Sequence, residues 1–284
     1  PLDLLRSFKE DAAPLTVAGA PVSEPTDGRF LNSGDAGFKR AILDNRVPVD
    51  AWVDSLNESG PELLCLGETH DEAFRHDLAV NIFSKLEMDT LFLEAVPEEV
   101  TRFQSELAAG AETVTMLGAD IAELLRTAQG TNPGLRIVGI EETDGQQRSR
   151  RDDPRIQRDS VIAWNLLQSF QPGKKHVALY GSLHCAKNDL GLGGSSPFYR
   201  HLIGDMGPER VRSAIVSRGA GGGDIFAVFL QLFGLSDESF VIPDTSLIPP
   251  SAYDYNWNLR KHFDNYRAIV YIAGPQAPKD RHRR

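Results

Sequence analysis

Short, nearly unbroken apolar runs recur along this chain. Between them, apolar residues return every three or four positions. The first pattern predicts strands buried on both faces, and the second predicts amphipathic helices. Predicted strands cover Glu62–Leu66, Thr90–Glu94, Leu135–Ile140, His176–Gly181, Val211–Val216 and Arg267–Ala273. Predicted helices cover Val47–Leu56, Asp71–Leu86, Pro97–Leu107, Glu112–Ala128 and Arg155–Phe170. Pro48, Pro97 and Pro154 mark helix starts, where a missing amide proton is tolerated. The alternation implies an α/β fold with a central, mainly parallel sheet, right-handed crossovers and helices on both faces.

Other segments break the pattern. Residues 1–35 carry scattered prolines and glycines and read as an extended lead-in. Residues 36–274 are expected to form one α/β domain, and 275–284 a charged, solvated tail. The mixed-charge run Arg148–Arg155 reads mostly as a solvated loop, and residues 236–260 as an irregular excursion. Ser217–Asp224 is glycine-rich. A phosphate cradle is one reading. A mobile loop is preferred, because no Lys-Ser or Lys-Thr pair follows.

Composition narrows the class. Hydrophobic residues make up 41% of the 284 and charged residues 25%, as in ordinary globular proteins. No stretch approaches a membrane span; Ile225–Leu235, the most apolar segment, is too short and reads as a buried element. A net charge of −10 with scattered basic residues argues against a nucleic-acid partner. The two cysteines form no disulfide framework. Cys65, within a strand, reads as a small core hydrophobe. Cys185 is a weak candidate for a nucleophile, since nothing nearby would form its thiolate. A chain that begins at Pro1 is expected to be a processed form or a fragment, soluble and open to export after loss of a signal peptide.

The strand ends carry the chemistry. Leu63–His70 and His176–His184 each run from an apolar strand through a glycine to a histidine. In a parallel sheet both histidines reach the carboxyl edge, where open α/β sheets bind ligands. The first strand end delivers Glu68 and His70, the second Glu94, the third Glu141 and the fourth His184. A carboxylate beside an imidazole fixes its tautomer and sets a general base. Such a set activates water for attack on a carbonyl. Glu68, His70 and His184 are also candidate ligands for a divalent metal. Arg158 and Asp159 open a predicted helix; Asp159 suits the amino end, and Arg158 is a candidate carboxylate or oxyanion partner. His76 lies off the face of His70 and is expected to pair with Glu72, with site membership as the lesser reading.

Gly67-Glu68-Thr69-His70-Asp71 with His76, Leu93-Glu94, Arg158-Asp159 and Gly181-Ser182-Leu183-His184 together resemble one superfamily. It joins the erythromycin esterase-like proteins, the ChaN-like haem-binding proteins and the Tiki proteases. The resemblance covers roughly residues 60–195 and implies an α/β core with Glu and His at the sheet edge. It implies either of two functions. One is hydrolysis of an ester, lactone or peptide bond in a small-molecule or protein substrate. Glu68 and His70 would then form the base pair, Glu94 and Glu141 would orient, and His184 would act as second imidazole, with a divalent metal or none. The other is haem binding, with the histidines at the iron. No haem-ligating tyrosine is matched; Tyr180 and Tyr199 are near in sequence only.

Overall fold

A computed structural model describes residues 33–69, 72–110, 118–153, 155–190, 195–219, 225–254 and 256–274. His70, Asp71, the glycines of 220–224, most of the expected lead-in and the tail at 275–284 lie outside them. Helix α1 (Ser33–Asn45) opens the described chain and takes in the last residues of the expected lead-in. Then follow α2 (Val49–Ser59), β1 (Leu63–Glu68), α3 (Glu72–Leu78), which runs into a wider π-type turn over Ala79–Phe83, and β2 (Thr90–Leu93). Next come α4 (Pro97–Ala108), α5 (Gly118–Thr131), β3 (Arg136–Gly139), α6 (Asp144–Asp152) and α7 (Arg158–Ser169). The rest is β4 (His176–Gly181), a 3₁₀ turn (Ser182–Cys185), α8 (Phe198–Met206), β5 (Val211–Arg218), α9 (Ile225–Leu232), β6 (Phe240–Ile242), α10 (Trp257–Phe263) and β7 (Ala268–Ile272).

The seven strands form one sheet in the order β3-β2-β4-β1-β5-β7-β6. Every pairing is parallel except β6 against β7. The expected α/β sheet with helices on both faces is therefore present. Alternate residues of each strand feed two cores. Cys65, Phe92, Ala178, Tyr180 and Tyr271 pack against α1 and α7–α10; Leu64, Leu66, Leu91, Leu93 and Leu179 pack against α2–α5. This is the period-2 side-chain alternation of a strand, with both faces covered.

Three segments differ from expectation. Arg148–Arg155 is not mainly loop: most of it belongs to α6, which has no buried residue and so no apolar periodicity to reveal it. A capping box at Thr143 and Gln146 starts that helix instead. The excursion at 236–260 contains strand β6, whose three residues are too few for a pattern to show. Ser217 and Arg218 of the expected glycine loop extend β5.

The cysteines are a further correction. Cys65 and Cys185 form a disulfide across a sequence separation of 120, with Cα atoms 5.8 Å apart. The turn after β4 folds back over β1, which brings them together. A Cβ on Gly67 would stand 3.0 Å from the Ser182 Cα, so a larger residue there would push the turn away from β1. No local spacing announces such a contact.

Candidate functional site

The carboxyl ends of β2, β3 and β4 deliver the groups of the main polar cluster. The backbone that follows β2 lies tightly on the end of β3. A Cβ on Gly139 would stand 2.5 Å from the Ala95 carbonyl oxygen, and Glu141 donates its backbone N–H to that same oxygen at 3.0 Å. Glu94 and Glu141 are thus neighbours although their strands are separate in sequence. Glu94 also accepts the Gly181 N–H at 2.9 Å, which ties it to the end of β4.

Helix α7 starts beneath this edge and supplies two consecutive residues. Arg158 donates through Nε to Glu141 Oε1 at 3.1 Å and through Nη2 to Glu141 Oε2. It lies 3.5 Å from Glu94 Oε1, and its Nη1 donates to His184 Nε2 at 3.2 Å. Asp159, almost wholly buried, accepts from His184 Nδ1 at 2.7 Å and from the Phe198 N–H at 2.8 Å. The Asp159 carboxylate can only accept, so Nδ1 carries the proton and Nε2 is the accepting nitrogen. The tautomer of His184 follows from its partners.

Tyr180 completes the cluster. Its hydroxyl donates to Glu141 Oε2 at 2.5 Å, and its ring meets that of His184 edge-on at 5.2 Å. Burial, with Glu94 and Glu141 close by, pushes the phenol well above its ordinary value and keeps it protonated. Burial works against the charged form of Glu141. Arg158 and the Tyr180 hydroxyl outweigh it and hold the carboxyl below its usual range. Desolvation likewise opposes the charge on Arg158, and the surrounding acidic groups overcome it, raising its pKa.

Glu68 sits at the same edge, in register with Gly181, but on the α2–α5 face. Arg75 of α3 grips its carboxylate from Nε at 3.1 Å and Nη2 at 2.9 Å, and reaches Asp120 of α5 at 3.0 Å. Burial opposes the Arg75 charge; Glu68 and Asp120 outweigh it and raise its pKa. His76 is half exposed and pairs with Glu123 of α5 at 2.9 Å; the side chain of Glu72, its expected partner, lies outside what is described. It stands outside the main cluster.

The structure therefore brings together Glu94, Glu141, Arg158, Asp159 and His184, and sets Glu68 on the opposite face. His70 lies outside the described residues. Sequence reasoning missed Tyr180, Arg75 and Asp120 as members of these clusters. Tyr180 had a signal: a polar-tipped residue that ends the apolar run of β4 needs a partner. Among the described residues, no group of three or more His, Cys, Asp or Glu is placed to hold a metal ion. Of the expected ligands, Glu68 is bound by Arg75, and both nitrogens of His184 are engaged.

No protein-family model matches the chain, and no curated protein matches it. Solved structures do. A succinoglycan biosynthesis protein superposes with a TM-score of 0.60 at 10% identity, over 85% of this chain and 97% of that one. Erythromycin esterase EreC, as its H289N mutant in an open conformation, superposes with a TM-score of 0.51 at 12% identity, over 80% and 94%. ChaN of Campylobacter jejuni with cofacial haem gives a looser likeness, with a TM-score of 0.41 at 15% identity over 59% and 85%, and no argument is drawn from it. At these identities the likeness is one of architecture: the chain has the α/β fold of the erythromycin esterase.

Proposed function

We propose that this protein is a hydrolase of an ester, lactone or peptide bond and that His184 is its proton-transfer group. One observation carries the reading: Asp159 holds Nδ1–H of His184, which turns the basic Nε2 towards Arg158 and the two strand-end glutamates. That is the arrangement of a general base oriented by a carboxylate. When substrate binds, the Arg158 Nη1–H turns from Nε2 to the carbonyl oxygen, and the freed Nε2 takes a proton from water as the water oxygen attacks the carbonyl carbon. The carbonyl oxygen gains negative charge, which the Arg158 guanidinium stabilises. As the intermediate collapses, the imidazolium returns the proton to the leaving oxygen or nitrogen. Glu141, held by Tyr180, fixes Arg158; Glu94 ties Arg158 to the end of β4.

The haem reading is less well supported by this geometry. An iron ligand needs a free imidazole nitrogen and apolar flanks for the macrocycle. Nε2 of His184 is bordered by the charged Arg158, Glu141 and Glu94 rather than by apolar flanks.

The test is a substrate panel of p-nitrophenyl esters, lactones and peptides with His184→Ala, Asp159→Asn and His70→Ala. His184→Ala is expected to abolish turnover with the fold retained by circular dichroism. Unchanged kcat/KM in His184→Ala overturns the assignment. Added haem is expected to leave the Soret band where free haem has it; a shift lost in His184→Ala favours the haem reading.

A further inference from the structure

The disulfide runs from the middle of β1 to the residue directly after His184. Both cysteines are fully buried in the core that also holds Tyr180. The imidazole of His184 is held from α7, by Asp159 and Arg158. Its backbone is held from the other side, by β1. Hydrogen bonds also tie this turn, from the Tyr266 hydroxyl to the Ser182 carbonyl and, just beyond it, from the Lys187 N–H to the Asn265 carbonyl, each 2.9 Å. They flank the turn; the covalent link joins the central strand directly to the neighbour of His184.

We propose that the Cys65–Cys185 disulfide is a positioning element of the site. It holds the Ser182–Cys185 turn flat on β1, so that Nδ1 stays on Asp159 and Nε2 stays on Arg158. Without the link, the turn and α7 shift independently and the imidazole loses its single orientation. A buried bond of this kind also places maturation of the chain where thiols are oxidised, since a reducing cytosol disfavours such bonds. The kinetic consequence rests on the hydrolase reading; the effect on the imidazole does not.

The first measurement counts thiols. Wild-type protein unfolded in guanidinium with iodoacetamide is expected to be unmodified, and to gain label on both cysteines only after reduction by a water-soluble phosphine. Labelling of both before reduction overturns the proposal. The second compares wild type with Cys65→Ala/Cys185→Ala by imidazole ¹⁵N NMR and by steady-state kinetics. Wild type is expected to show one His184 tautomer, with the proton on Nδ1, and the variant a mixture. In the variant, kcat is expected to fall about 10- to 100-fold with little change in KM, the scale set by misplacing a catalytic group. An unchanged tautomer overturns the proposal, whatever kcat does. If the double variant gives no cooperative melt, Cys65→Val/Cys185→Ala conserves volume better at the strand position and carries the same readouts. A tautomer shift in a protein that turns over no substrate supports the positioning role and overturns the hydrolase reading alone.

Discussion

Two polar clusters sit at the ends of neighbouring strands on opposite faces of the sheet, and their make-up differs. On one face, Arg75 bridges Glu68 and Asp120. Its described members are an arginine and two carboxylates, and it joins β1 to α3 and α5. On the other face, Arg158 joins two glutamates to a histidine whose tautomer Asp159 sets. That cluster also holds a phenol kept protonated. The first has the parts of a structural clamp. The second has an imidazole with one nitrogen fixed by a carboxylate. The presence of acidic and basic groups at a sheet edge is therefore no sufficient sign of chemistry; a titratable group with one oriented face is the better one.

The sharpest way to break this comparison is at the histidine. His184→Ala is expected to lower kcat by about 10²- to 10⁴-fold, the usual contribution of a general acid or base, with a smaller loss of stability because the buried Asp159 loses one of its two donors and keeps the Phe198 N–H. Turnover assays beside a melting curve check it. Arg75→Met should do the opposite. It leaves Glu68 and Asp120 buried without their shared cation and is expected to cost about 3 kcal/mol in urea unfolding, with kcat changed far less than in His184→Ala. If Arg75→Met instead removes activity at unchanged stability, the two clusters are not distinct in role.

Tyr180→Phe keeps the ring and removes only the hydroxyl that fixes Glu141. A loss of about 1 kcal/mol in stability and roughly tenfold in kcat is expected, since one charge-assisted bond is removed.

Acid provides a gentler probe. Glu141 titrates below its ordinary value in the folded protein, so folding favours its ionised form. That contribution is complete above the unfolded carboxyl's pKa and is lost as pH falls through the depressed folded value. Urea midpoints taken from neutral pH down to about pH 3 should therefore fall more steeply for wild type than for Glu141→Gln. The smallest effect is expected for His76→Ala. This exposed pair with Glu123 should change stability by less than about 0.5 kcal/mol and leave kcat alone.

Much of this arrangement is legible in the sequence because it is carried by strands. The apolar runs of β1 and β4 place Glu68 and His184 at the sheet edge, and the runs of β2 and β3 do the same for Glu94 and Glu141. The predicted helix that carries Arg158 and Asp159 near its amino end brings both there. What escapes is long-range or unpatterned. The Arg75–Asp120 ion pair and the Cys65–Cys185 link depend on which elements become neighbours, and no spacing encodes that. Helix α6 escapes because it is polar all round. The face on which Glu68 lies escapes too: strand alternation dictates it, but only once the buried partners of Leu64 and Leu66 are known.

The placement of β4 between β2 and β1 has a consequence for synthesis. A nascent chain that has emerged only through β3 holds β1 and β2 with the slot between them empty, so both present unpaired backbone edges. Such edges recruit other chains. Until His176–Gly181 leaves the ribosome and inserts, the growing polypeptide is expected to be prone to self-association. Truncations that end before residue 176 should be recovered in inclusion bodies.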